Sequence, residues 1–189
     1  DRSPSRGLGD VYKRQTNKVP DSVCSLQALH DYIVKNTPLA EKTGRVRTAL
    51  TDPKQFRQLK QQLLPYVTPA GIFTYCREQS LLIPSGDFVI DLDHLASADE
   101  ARELRDRLFD DDFLLPDLAF VSPSGTGVKL FVPYRLYTDK TVKESFRMAM
   151  QNAWEYLHCK YELQIDKSNA DLCRACFICH DEEAKLREK

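Results

Sequence analysis

The segment Asp87-Phe-Val-Ile-Asp91-Leu-Asp93 constrains this chain more than any other. An apolar run of β-forming residues ends in two acids two positions apart. The two-residue period of a strand points both carboxylates at one face. Like charges held together there are costly unless a cation lies between them, and Mg²⁺ or Mn²⁺ suits an all-oxygen ligand set. The plainer reading is that Asp91 and Asp93 cap the strand and open a turn, and an isolated Asp-x-Asp does not separate the two.

The remaining patterns predict what that strand packs against. Ser22 or Ser25 caps a helix carrying Leu26, Leu29, Ile33 and Val34, which ends before Pro38. Asp52-Pro53 opens a second helix, with Phe56, Leu59, Leu63 and Leu64 as its buried stripe and Pro65 as its stop. Short β-rich runs follow at Ile72–Cys76, Leu81–Ile83 and Phe88–Leu92. A helix from about Ser97 to Phe109 buries Ala101, Leu104 and Leu108. Leu118–Val121 and Val128–Pro133 read as strands joined by a Ser/Gly turn. A long helix then carries Val142, Phe146, Ala149, Ala153 and Leu157 on one face, and Tyr161–Ile165 and Arg174–Cys179 read as closing strands. The layout is α+β, with helices packed on a largely antiparallel sheet in a single domain.

Composition narrows the partners. The 189 residues are enough for one domain with a real core, and 27 Lys+Arg against 28 Asp+Glu leave no global basic excess. A nucleic acid would have to bind a local patch. No apolar run approaches the roughly 20 residues that cross a bilayer, so no membrane partner is expected. Six cysteines without a visible signal peptide fit a reducing cytoplasm better than a secreted disulfide scaffold. Residues 1–15 lack a hydrophobic period and resemble the read-through of a sequencing adapter, so they are expected to be disordered. Without them the remainder holds 23 basic against 26 acidic residues. The domain is then expected over residues 16–182, with 183–189 the start of a linker or truncated downstream region, and both ends suggest a fragment.

Two further segments bear on chemistry. In Ser122-Pro-Ser124-Gly125-Thr126-Gly127-Val-Lys129, the glycines permit a tight turn whose backbone N–H groups could cradle phosphate oxygens, with the Lys129 ammonium on the following strand. A plain hairpin turn explains the same glycines, and no Walker motif is present. In Ile165-Asp166-Lys-Ser-Asn-Ala-Asp171-Leu-Cys-Arg174, an acid ends an apolar stretch and an Asp and an Arg follow three apart. A surface ion pair would account for those two. In order along the chain, the three segments supply metal ligands, a phosphate cradle and a charge clamp, the parts that phosphoryl transfer needs.

Phe-Val-Ile-Asp91-Leu-Asp93, Ser124-Gly-Thr-Gly-Val-Lys129 and Ile165-Asp166…Asp171-Leu-Cys-Arg174 resemble the three motifs of the archaeo-eukaryotic primase superfamily. More narrowly, the chain is similar to the primase-related N-terminal domain found ahead of VirE-type helicase modules in Bacteroides-like genomes and mobile elements. Leu64-Pro-Tyr-Val-Thr-Pro-Ala-Gly71-Ile-Phe73 looks like that group's lead-in to the first acidic strand, and the likeness covers roughly residues 22–182. The resemblance implies an RRM-like, primase-like sheet and DNA-directed nucleotidyl transfer from a nucleoside triphosphate. It implies Asp91, Asp93 and Asp166 as catalytic acids holding Mg²⁺ or Mn²⁺. Ser124, Gly125, Gly127 and Lys129 would hold the nucleotide's phosphates, with Arg174 assisting; Asp171 is either the third acid in place of Asp166 or orients Arg174. DNA and a helicase module on the same intact polypeptide are the implied partners. Many active members carry histidine where Lys129 stands, which puts polymerase activity in question more than nucleotide binding. The other reading is therefore an inactive nucleotide- or DNA-binding module.

Arg45, Arg47, Lys54, Arg57 and Lys60 are candidates for a basic template edge, against solvated helix faces as the plainer account. Cys173, Cys176 and Cys179 have C-x₂-C-x₂-C spacing, and Cys176-Phe-Ile-Cys179-His180 matches a haem-attachment pattern. A zinc or Fe–S site would need a loop, whereas Arg-Ala and Phe-Ile between the cysteines offer no Gly or Pro for a knuckle. Buried packing residues are the simpler account. His94 is read as a turn residue or a support for the acids, His30 as a boundary residue and Trp154 as core.

Overall fold

Val128–Pro133 is apolar on both sides of the strand apart from Lys129, and such a strand must be covered on both faces. In the computed structural model, which describes residues 9–12, 18–165, 167 and 170–188, it is. The N-terminal part contains β1 (Gly9–Tyr12), β2 (Ser22–Cys24), α1 (Leu26–Lys35), α2 (Thr37–Arg47) and α3 (Pro53–Leu63). Next come β3 (Tyr66–Thr68), β4 (Gly71–Phe73), β5 (Leu81–Pro84), β6 (Asp87–Leu92) and α4 (Ala98–Phe109). The chain continues through β7 (Leu118–Val121), β8 (Val128–Pro133), α5 (Val142–Tyr161), β9 (Cys176–Phe177) and β10 (Lys185–Leu186).

The central sheet runs β10-β7-β8-β6, a second runs β2-β1-β3-β9, and β4 and β5 form a hairpin. Every strand pairing among the described residues is antiparallel. One face of the central sheet presents Phe88, Ile90, Leu92, Leu130 and Val132 to Leu104 and Leu108 of α4 and Phe146, Met150 and Leu157 of α5. The other presents Phe120 and Phe131 to Leu29, Ile33, Leu39 and Val46 of α1 and α2, and to Cys176 of β9. The alternation along β6 and β8 therefore assigns Asp91 and Lys129 to the second face, beneath α3. Burying a carboxylate and an ammonium there requires that they meet.

The helices begin where their caps dictate. Ser25 accepts from Ala28 N, Asp52 from Lys54 N and Gln55 N, and Ser97 from Glu100 N. Thr141 and Glu144 form a capping box at α5. α1 ends at Lys35, before Pro38 as expected, but Pro38 itself lies in the first turn of a further helix, α2, whose Asn36 cap accepts from Leu39 N at 2.8 Å. Proline is tolerated there because its missing N–H has no helical partner to lose.

Other expectations need correction. Phe56, Leu59 and Leu63 are only half-buried, because the α3 face beside them borders a cleft. Tyr161–Ile165 is not a strand: α5 runs to Tyr161 and Glu162 turns the chain with φ 55°. Arg174–Cys179 contracts to the two-residue β9. Gly9–Tyr12, expected to be disordered, pairs between β2 and β3. Residues 183–188 belong to the domain rather than a linker, since Lys185 and Leu186 pair with Ala119 and Leu118, and Arg187 N donates to Asp117 O at 2.9 Å. No helix among the described residues is long and apolar enough to cross a membrane.

Asp111, after α4, ties that helix to α5. Its buried carboxylate accepts from Tyr156 and Lys160 at 2.8 Å, from Tyr161 at 2.5 Å, and from the N–H groups of Phe113 and Leu114 at 2.9 Å. Burial opposes the charge, but Lys160, Tyr161 and the other donors outweigh it and hold the carboxyl well below the usual range. The Asp111→Ala substitution is expected to cost about 3–5 kcal/mol in urea unfolding at pH 7. Because the folded value is depressed, this stabilisation is complete above the unfolded value of about 3.9 and is lost as pH falls from there through the folded value. Below pH 4 the gap between wild type and mutant should narrow.

Candidate functional site

The β6–β8 register sets Asp91 directly opposite Lys129. Lys129 Nζ donates to Asp91 Oδ2 at 2.6 Å, with the lysine side chain 7% and the aspartate side chain 30% exposed. Burial opposes the lysine's charge, yet Asp91, with Asp93 nearby, more than compensates and holds its pKa above the ordinary range. The second oxygen, Asp91 Oδ1, is buried and has no hydrogen-bond partner. A desolvated carboxylate oxygen left unpaired is costly, and it is the kind of atom a cation would satisfy. Asp93 follows just beyond β6. Desolvation, then repulsion from Asp91, raises its pKa above the ordinary aspartate value. Two carboxylates, one of them with an orphaned oxygen, fit a hard divalent ion, with further oxygens left for substrate to supply.

The Ser122–Gly127 turn lies against the acids. A Cβ on Gly127 would fall 2.8 Å from Asp93 Oδ1 and 2.6 Å from both Leu92 O and Ser122 Oγ, so only glycine admits this approach. Gly125 adopts φ 79°, and Arg47 braces the turn by donating to Pro123 O at 3.2 Å and Ser122 O at 3.3 Å. Two N–H groups of the expected cradle are engaged internally: Gly125 N donates to Ser122 O and Thr126 N to Ser124 Oγ. The Ser124 and Thr126 side chains still line the cleft in front of the acids.

That cleft, of about 620 Å³, is closed on its far side by α3 and β9. Four cations line it, Arg57, Lys60, Lys129 and Arg174, against two carboxylates, Asp91 and Asp93. Lys60 lies over Phe56 and Phe177, 5.5 and 5.1 Å from the ring centroids. Burial and then the neighbouring Lys129 lower its pKa below the ordinary lysine value. Arg57, exposed, and Lys60, half-buried, thus both line the cleft. Lys54 and Arg45 are exposed and away from the cleft, and Arg47 serves the turn.

Arg174 separates this cleft from a smaller adjoining pocket of about 140 Å³. His94 lines both, and its left-handed backbone (φ 64°) turns the chain out of β6, an uncommon conformation for a residue with a Cβ. Asp171 is exposed and lines neither space; its carbonyl accepts from Arg174 N at 3.1 Å. Asp166 lies outside the described residues. The cysteines do not converge. Cys179 is buried with its Sγ 3.1 Å from Val121 O, Cys176 is buried under Lys129, and Cys173 is half-buried. Desolvation pushes the Cys176 and Cys179 thiols up to about 11 and about 12. Among the described residues no group of three His, Cys, Asp or Glu side chains could hold a metal.

The family described as BT4734-like, N-terminal domain, matches residues 58–185. The match begins in α3, ends in β10, and takes in both acids, the glycine turn and Arg174. This α+β chain belongs to that family. No curated protein and no solved structure matches it.

Gly127→Ala is expected to destabilise the fold by about 1–3 kcal/mol through overpacking. Gly44→Ala, where a Cβ meets nothing within 4 Å, should instead be neutral or stabilising. Paired urea titrations of the two variants check the contrast.

Proposed function

We propose that this domain is a primase-polymerase-type nucleotidyltransferase, acting in DNA replication of a bacterial or mobile-element replicon. It would work in the cytoplasm beside a helicase module of the same intact polypeptide. The observation that carries the reading is the convergence of two carboxylates and four cations on one cleft, in a chain of net charge −1. The cleft concentrates positive charge where a polyphosphate and a strand backbone would lie. The likeness of the acid, glycine-turn and arginine segments to the primase motifs supports the same assignment.

Asp91 and Asp93 would hold Mg²⁺ or Mn²⁺, with Asp166 the candidate third acid. When bound, such ions lower the pKa of an attacking hydroxyl and neutralise the leaving phosphates. In the proposed reaction a strand's 3′-hydroxyl attacks the α-phosphate of an NTP or dNTP and pyrophosphate leaves. Ser124 and Thr126 would donate hydroxyl hydrogen bonds to phosphate oxygens, and Arg174 and Lys60 would hold them by charge-assisted bonds. Gly125 and Gly127 serve by keeping the turn low enough for phosphates to approach the acids.

A second reading rests on the 2.6 Å ion pair of Lys129 with Asp91. It neutralises one carboxylate from within and would weaken metal binding, favouring a module that binds nucleotide or DNA without turnover. Extension of a labelled primer–template by the whole chain with Mn²⁺ and all nucleotides separates the two. Extension by wild type, falling at least a hundredfold in the Asp91→Ala/Asp93→Ala variant, is the expected result. Triphosphate binding without extension would select the binding module, and absence of both would overturn the assignment.

A further inference from the structure

We infer that the smaller pocket beside Arg174 is a nucleoside subsite, taking one ring, base or sugar, next to the reacting phosphate. The inference rests on the nucleotidyltransferase reading and adds the subsite. The two spaces share Asp91, Asp93, His94 and Arg174 but differ in their other walls. The large cleft adds Lys60 and Arg57, which suit phosphates, and Lys129, which is already paired with Asp91. The small pocket adds Val89, Met150, Trp154 and Ile165, with Gln164 its one additional polar side chain. Among the described residues no further cation lines it.

Met150 and Trp154, on adjacent turns of α5, are buried to 3% and 7% exposure and form a fixed floor of the domain core. Such a floor can receive a ring without first reorganising, which keeps the cost of binding low. At about 140 Å³ the space is well below the roughly 300 Å³ or more of a pocket enclosing a drug-sized ligand. It is close to the roughly 150 Å³ cavity known to admit one benzene ring. One ring of a nucleoside fits; a whole nucleotide does not. Its triphosphate would have to pass Arg174 into the basic cleft, across the two acids. A sulfate-like or purely anionic ligand has no reason to enter the small pocket. The ring could come from a free nucleoside triphosphate or from the 3′-terminal residue of a strand.

Trp154 is the only tryptophan in the chain, so its emission reports on this pocket alone. The whole chain would be titrated, in Mg²⁺, with dATP, with a short single-stranded oligonucleotide and with inorganic tripolyphosphate. Calorimetry would register binding independently. The expected result is that tripolyphosphate binds without moving the emission, whereas dATP, the strand or both shift it saturably. A shift with dATP alone assigns the pocket to the incoming nucleotide, and one with the strand alone to the 3′ terminus. Ile165→Phe, which fills the pocket from a half-buried, non-helical position, should weaken the responding ligand at least tenfold and leave tripolyphosphate unchanged. Binding of dATP and strand with no emission change and no effect of Ile165→Phe would overturn the nucleoside site while leaving the enzymatic reading intact. Binding of none of the three would overturn both.

Discussion

The ion pair between Asp91 and Lys129 is the contact on which the arrangement depends. Lys129 is an ammonium in the middle of a strand buried on both faces, and without a partner it would deprotonate or keep the strand from packing. Asp91 lies opposite only in this β6–β8 register, and a one-residue slip of either strand would turn its charge into the apolar layer under α4 and α5 and leave the other charge unpaired. The pair thus specifies register as well as charge. It also explains how an acid can sit deep at a sheet edge: one oxygen is neutralised from within while the other is left buried without a partner.

The walls of the cleft follow from that register. With β6 at the edge of the central sheet, its acid-bearing end is not covered by another strand, and the space is closed instead by α3, β9 and the glycine turn. α3 and the glycine turn carry charged and small polar groups into the cleft, while β9 contributes Phe177. Lys60 illustrates the compromise, its stem and ammonium lying over Phe56 and Phe177 while the charge remains at the cleft. Arg47 performs a structural version of the same task, spending its guanidinium on the Pro123 carbonyl and on the Ser122 carbonyl that also accepts from Gly125 N.

Much of the helical content was legible because local rules suffice for it. Ser25, Asp52, Ser97 and Thr141 cap helices through their own backbone neighbourhoods, and β7 and β8 are bounded by turn residues whose conformations few other residues adopt. Where reading failed, a non-local partner decided. Pro38 is compatible with either the end of one helix or the first turn of another, and the choice fell to Asn36 and to packing of Leu39 and Val46. Leu163 and Ile165 have strand-like side chains but pack against the core from an irregular segment, since α5 and the small pocket occupy the space a strand would need. β9 and β10 are two residues long and exist only because β3 and β7 offer unpaired edges.

The candidate site divides in the same way. The sequence by itself determined that two carboxylates would share a face and that Gly125 and Gly127 would build a tight turn, because strand period and left-handed backbone are properties of a few adjacent residues. It also determined that no global charge would draw nucleic acid to the chain. Only the tertiary structure decided that Lys129 pairs with Asp91, that Arg57 and Lys60 face the acids from some 30 residues away in the chain, and that Asp171 points elsewhere. It likewise separated the cysteines that their spacing had grouped. The physical reason is that ion pairing, desolvation and cleft formation act between surfaces brought together by burial of the two apolar faces of one sheet, and no local pattern encodes which surfaces those will be.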